Sequence, residues 1–208
     1  MQADSEKARR APKGARTRAR ILEEAAAMAS LGGFSGVTLG GLAERLGLSK
    51  SGMFGHFGSK DALEAEILDQ VAARFGEIVL NPQEDDSADP QAAFAAMVGR
   101  WMDWTEGSVY PGGCPMFSAQ SDYDDRPGAQ RDRVVRHFRG LRLVLLRRLR
   151  AAVPGLSRDA AEQAAFELEG VMQAFARNHR LMRDPKARLR AETAVHSLLA
   201  RLQPGAAG

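Results

Sequence analysis

Residues 42–60 read LAERLGLSKSGMFGHFGSK. An apolar helical pattern runs into Gly47, resumes after Ser49-Lys50-Ser51-Gly52, and stops again at Gly58. The first helix carries Leu39, Leu42 and Leu46 toward a core, and Ala43 is small enough to let a second helix cross. Gly47 suits the left-handed turn residue, because it has no Cβ to clash there. Leu48 and Met53 then anchor a second helix, from about Ser49 to Phe57. Together these positions spell a helix-turn-helix, which a lone Ala-x-x-x-Gly would not.

Working outward, residues 16–31 repeat Ile21, Leu22, Ala25, Met28 and Ala29 at helical spacing, and Gly32-Gly33 ends the run. Thr38 and Ser59 are placed as N-caps, and Asp61 suits the first turn of the helix carrying Leu63, Ile67, Leu68, Val71 and Phe75. Asn81 to Pro90 reads as an acidic loop. Further helices are expected over 91–106, 115–121, 128–152, 157–182 and 185–202, the long one with Val134, Phe138, Leu141, Leu145 and Leu149 as its seam. No segment alternates with the period of a strand and no internal repeat occurs, so the expected class is all-α.

Of the 208 residues, 44% are hydrophobic and 26% charged, the composition of a globular protein with a real core. No apolar run reaches the roughly eighteen residues of a membrane span, and the charged N-terminus lacks a secretory h-region, so a cytoplasmic protein is expected. Cys114 is the single cysteine and cannot form an internal disulfide. Paired with His137 it has no group to orient the histidine and no recognisable oxyanion element, so no enzyme is expected. His56, His137, His179 and His196 lack ligand-like spacing; no metal and no cofactor are expected.

Charge is uneven. The net is +3, yet residues 1–20 carry Lys7, Arg9, Arg10, Lys13, Arg16, Arg18 and Arg20 against Asp4 and Glu6. Such a basic end points to a polyanion. In a helix-turn-helix the second helix enters the major groove, so its N-terminal residues face base edges and its ends face phosphates. Lys50 reaches a guanine edge or a phosphate, Ser51 donates or accepts, and Gly52 lets the backbone approach. The candidate DNA contacts are Thr38, Arg45, Ser49, Lys50, Ser51, Gly52, Phe54, His56 and Lys60.

The stretch from Thr17 to Leu68 resembles the DNA-binding module of the TetR family of transcriptional regulators. The shared features are Gly33-Phe34, Thr38, Leu42-Ala43 to Gly47, Ser49-Lys50 and His56-Phe57-x-Ser59-Lys60. The resemblance implies a basic arm over 1–15, expected to be disordered, a helix-turn-helix domain over 16–62, and a helical ligand-binding and dimerisation domain over 63–208. It implies a cytoplasmic homodimer, most often a repressor, released from palindromic double-stranded DNA by a small molecule, with no membrane partner. The chain departs from the family pattern at Phe54, where a tyrosine commonly meets a phosphate, and at Gly55. Gly40 and Gly41 also stand inside a helix, each costing about 1 kcal/mol against alanine. A mobile reading head that DNA orders is the expectation.

The resemblance places dimerisation on the last two helices, with Leu168, Val171, Phe175, Val195, Leu198, Leu199 and Leu202 as the candidate interface. As plain stripes the same residues fit an intramolecular core. Met97, Trp101, Trp104, Phe117, Tyr123, Phe138, Met172 and Phe175 are candidate lining for an effector pocket, which favours an apolar or aromatic ligand, with Asp103 and His137 for polar selection. Two alternatives stay open: a redox-responsive regulator using Cys114, and an architectural DNA-binding protein without a ligand.

Overall fold

The computed structural model describes residues 12–81 and 89–203, and the side chains of all of these except Lys50 and Phe54. Among the described residues there are nine α-helices and no strand: α1 (Lys13–Gly32), α2 (Leu39–Leu46), α3 (Lys50–Phe57), α4 (Lys60–Phe75), α5 (Pro90–Glu106), α6 (Pro115–Tyr123), α7 (Ala129–Ala152), α8 (Arg158–Arg180) and α9 (Ala187–Leu202). The expected boundaries hold to within a few residues. α1 starts at Lys13, right after Pro12, so Lys13, Gly14 and Ala15 belong to the helix and not to the basic arm. The rest of that arm, residues 1–11, lies outside the described residues, as does most of the acidic stretch, 82–88.

One element had no sequence signal. The helix of Lys60–Phe75 runs into a π-helical segment, Gly76–Leu80, closed by Asn81 N–H donating to the Gly76 carbonyl at 2.9 Å. Arginines satisfy two of its carbonyls: Arg100 Nε donates to Val79 at 3.2 Å and Arg148 to Leu80 at 3.0 Å.

The chain divides into two compact units. The first combines residues up to Ala73 with Tyr110–Val134; the second combines Arg74–Val109 with the chain from Val135 onward. In the first unit α6 packs on α1, which attaches a segment far along the chain to the reading head.

In the first unit Ile21, Ala25, Ala29, Phe34, Val37, Leu42, Met53, Leu63, Ile67 and Val71 are fully buried. Arg18 forks onto the Glu66 carboxylate and lies 4.6 Å over the Phe57 ring, tying α1 to α3 and α4. In the second unit Phe75 is a hub, edge-on to Trp101 at 5.9 Å, Trp104 at 5.4 Å and His137 at 5.6 Å. Such pairs favour fixed geometry beyond simple burial. Leu141, Leu145 and Leu149 of the α7 seam are buried, whereas Phe138 is half-buried. α8 packs along α9, and no described helix is long and apolar enough to cross a membrane.

Candidate nucleic-acid interface

The turn between α2 and α3 is built from local chemistry. Thr38 is the N-cap of α2, its Oγ1 accepting from Gly41 N–H at 3.0 Å. A Cβ on Gly41 would stand only 3.0 Å from that oxygen, so glycine leaves room for the cap. Gly47 is left-handed, with φ 64° and ψ 33°. Leu48 N–H then reaches the Ala43 carbonyl at 2.8 Å and Gly47 N–H reaches Glu44 at 3.2 Å, which satisfies carbonyls that the helix end would leave open. Ser49 caps α3, its hydroxyl accepting from Gly52 N–H at 3.1 Å and lying 3.2 Å from the Ser51 hydroxyl. Gly58 is left-handed with φ 72°, and Ser59 caps α4 by accepting from Ala62 N–H at 3.1 Å. The serines and threonine that look like a reading surface therefore also hold three short helix starts.

Burial separates the two sides of α3. Met53 and Phe57 are buried, while Ser51, Gly52 and Gly55 are exposed and His56 is half-buried. On α2 only Leu42 and Ala43 are buried; Leu39 and Leu46, expected in the core, are half-covered. Thr38 and Ser49 are exposed beside the turn. The side chains of Lys50 and Phe54 lie outside the described residues, and their helix positions are fixed only through the backbone.

Two of the expected cationic contacts have internal partners. Arg45 Nε donates to Glu24 of α1 at 2.5 Å, and Lys60 Nζ lies 3.4 Å from Glu64. A phosphate would compete with an existing carboxylate at each; the Arg45 pair is largely exposed and worth little on its own, whereas Glu64 is buried. Lys13, Arg16 and Arg20 are exposed along the start of α1.

Sequence reading missed how firmly residues 110–123 are fastened to this head within the first unit. Gly112 N–H donates to Ser30 Oγ at 2.9 Å, and a Cβ on Gly112 would fall 1.8 Å from the Ser30 carbonyl oxygen. Asp122 accepts from Phe34 N–H at 2.7 Å, and Tyr123 packs edge-on to the Phe34 ring at 5.5 Å. Burial first, and then the nearby Glu64 carboxylate, holds the Tyr123 hydroxyl protonated far above the ordinary tyrosine range. The Pro111-Gly112-Gly113 run was the only trace of this in the sequence, and it reads equally as a loop.

The family models match across both parts of the chain. Residues 21–67 match the model of bacterial regulatory proteins of the tetR family, and residues 90–195 match the tetracyclin repressor-like C-terminal domain. The chain belongs to the TetR family of transcriptional regulators. Like its family it is a DNA-binding regulator, and α2-turn-α3 is its helix-turn-helix. Solved structures with the same fold include a TetR transcriptional regulator from Chloroflexus aurantiacus J-10-FL, at 21% identity and TM-score 0.75, covering 91% of this chain and 95% of that one. A TetR-family regulator from Streptomyces coelicolor has 19% identity and TM-score 0.78, covering 90% and 96%. AibR, solved in complex with isovaleryl coenzyme A and operator DNA, has 21% identity and TM-score 0.65, covering 90% and 98%. No curated protein matches this regulator in sequence.

The structure redistributes the remaining candidate residues. Of the eight candidate pocket residues, Phe117 and Tyr123 belong to the first unit and the other six to the second, so no single unit gathers them. Met97, Trp101, Trp104, Met172 and Phe175 are buried. Burial pushes the His137 imidazole down to about 4, which keeps it neutral among the aromatics. Asp103, expected as a polar selector, is paired with Arg188 at 2.7 Å. Cys114 is buried at the start of α6, which favours a packing role over a sensor thiol.

The dimer candidates divide by burial. Leu168, Phe175, Val195 and Leu198 are buried within the chain's own second unit, as intramolecular core, while Val171, Leu199 and Leu202 are half-buried. A helical stripe identifies an apolar face but not what covers it. The large apolar side chains left in the open there are Phe166, Leu181, Met182 and Leu189.

Proposed function

We propose that the chain is a homodimeric repressor that leaves a palindromic operator when a small apolar or aromatic effector binds its C-terminal region. The observation that carries the DNA half is the division of α3: Met53 and Phe57 face the core while Ser51, Gly52 and Gly55 face out, beside capped helix starts that suit phosphates.

The outward apolar residues of α8 and α9 support a second copy. Phe166 is 64% exposed and Leu181 75%, and a groove of about 210 Å³ between the helices is lined mostly by small and apolar residues, Ala174, Ala187, Ala191 and Ala194 among them, with Asn178 and Arg190 as its polar members. Small residues let two helix pairs approach closely, and two-fold operators require two half-sites about 34 Å apart. The proposed dimer face is Phe166, Ala174, Leu181, Met182 and Leu189, with the half-buried Val171, Leu199 and Leu202 beside it.

The aromatic cluster around Phe75 supports an apolar or aromatic effector. The AibR complex with isovaleryl coenzyme A and operator DNA supports a fold that takes both a small ligand and DNA. Release is a population shift in which effector binds best to the form that fits the operator worst. The fastening of Gly112 and Asp122 to α1 and Phe34 makes residues 110–123 the element through which the head is held or freed, together with α4. Such a protein binds and releases, and no catalytic step is assigned to it.

The test is a gel shift with the intergenic DNA beside the gene, with and without candidate apolar effectors, alongside sedimentation. The proposal expects one dimer per site and release by an effector. A monomer on DNA, or a retained shift with every effector class, contradicts it.

A further inference from the structure

The outer face of α7 is not used by any part of the reading above. Arg136, Arg139, Leu143, Arg147 and Arg150 are all exposed on it, with Leu146 half-buried beside them. The arginine row spans about 21 Å at a helical rise of 1.5 Å per residue. Other arginines of this helix are engaged: Arg142 forks onto Glu169, and Arg148 donates to the Leu80 carbonyl. Among the described residues Arg136, Arg139, Arg147 and Arg150 have no ion pair or hydrogen bond. Leu143 stands 67% exposed in their midst. An open groove of about 480 Å³ is lined by Leu143, Leu146, Arg147, Arg150 and Arg158.

We propose that this face docks an acidic, amphipathic helix from a protein partner, its apolar side over Leu143 and Leu146 and its carboxylates on the arginine row. Charge complementarity fixes the sign of the partner. Guanidinium groups match carboxylates with paired hydrogen bonds, and amphipathic helices commonly lie in apolar grooves. A small ligand fits less well, because buried ligands lose most of their surface to a pocket and Leu143 here stands up from an open one. Phosphate contacts are made by cations and polar groups, which would leave Leu143 and Leu146 without a role on a nucleic-acid backbone. A second copy placed on the same face by a two-fold axis would set arginine against arginine.

The test uses the full-length chain and a labelled helical peptide of about sixteen residues, long enough to form a helix, with leucines along one side and glutamates along the other. Fluorescence anisotropy measures its affinity for wild type, Arg147→Glu/Arg150→Glu, Arg136→Glu/Arg139→Glu and Leu143→Asp, all exposed substitutions that leave the core alone. The proposal expects each variant to weaken binding by about tenfold or more, and a peptide with glutamine in place of glutamate to bind at least about tenfold more weakly. Equal binding by the glutamine peptide, or unchanged affinity for Leu143→Asp, overturns it. So does binding of unrelated duplex DNA or anionic phospholipid vesicles, sensitive to the same variants, when the peptide does not bind. A change in sedimentation of Leu143→Asp alone points to a second copy and overturns it as well.

Discussion

α2 and α3 each span eight residues; α7 and α8 span 24 and 23. The short pair buries Leu42, Ala43, Met53 and Phe57 and relies on Thr38 and Ser49 for its caps. α8 alone buries Ala161, Ala164, Ala165, Leu168, Met172, Phe175 and Ala176. Helices below about twelve residues are marginal by themselves, so the reading head exists only through its packing. With only four of the described side chains of α2 and α3 buried, little holds it. The long helices are the reverse case. Regions that must respond to a ligand are drawn from the less stable end of a structure, and the proposed release expects the reader to be that end.

The largest expected effect separates the two regions by truncation. Leu168→Ala should cost about 2–5 kcal/mol and lower the urea midpoint of the second unit. Met53→Ala should instead melt α2 and α3 locally, leaving amide protection in α8 intact by hydrogen exchange. Equal loss of protection everywhere for both variants breaks the contrast.

Acid should act on the second unit through His137. Its folded pKa is depressed to about 4 by burial, so the unfolded chain takes up a proton first as pH falls. Stability is unaffected above about pH 6.5, the unperturbed histidine value, and is lost between there and pH 4, by about 3 kcal/mol at most. Chemical denaturation across that range should show a smaller loss for His137→Phe than for wild type. An identical pH dependence removes His137 from the account.

How much of this was legible in the sequence follows from the range of each interaction. The capped turn was readable because Thr38, Gly47, Ser49 and Ser59 act within four residues of themselves. The Gly112 to Ser30 and Asp122 to Phe34 fastenings join residues 82 and 88 apart, and nothing periodic records them. The stripes of α8 and α9 were legible as apolar, but what covers them was not, because periodicity gives a face without its partner. Phe166 and Leu181, which the stripe does not include, are exposed.

Gly112→Ala tests the long-range fastening. The new Cβ cannot coexist with the Ser30 carbonyl, so the segment must move, at about 1–3 kcal/mol as for other overpacked sites. Thermal denaturation should show the loss, and operator affinity should change with it. An unchanged operator affinity in the destabilised variant argues that residues 110–123 do not govern the head.

The smallest effects sharpen the account of the head itself, and they have opposite signs. Thr38→Ala removes a cap and should cost about 1 kcal/mol. Gly55→Ala meets no atom within 4 Å and should stabilise α3 by up to about 1 kcal/mol, through helix propensity alone. If the head is poised for DNA to order, Gly55→Ala should also tighten operator binding while slowing exchange in α2 and α3. Slower exchange with weaker binding would mean that the loose helix is part of the recognition.

The central claim is that the outward side of α3 and the start of α4 meet DNA. Binding isotherms for wild type, Lys50→Ala and Lys60→Ala, on the intergenic duplex and on an unrelated duplex across a salt series, test it most directly. The account predicts that Lys60→Ala weakens both duplexes alike and lowers the salt slope by about one, the signature of a lost phosphate contact. Lys50→Ala should also narrow the gap between the two duplexes. Wild-type slopes and wild-type discrimination in both variants would contradict the placement of DNA on this face.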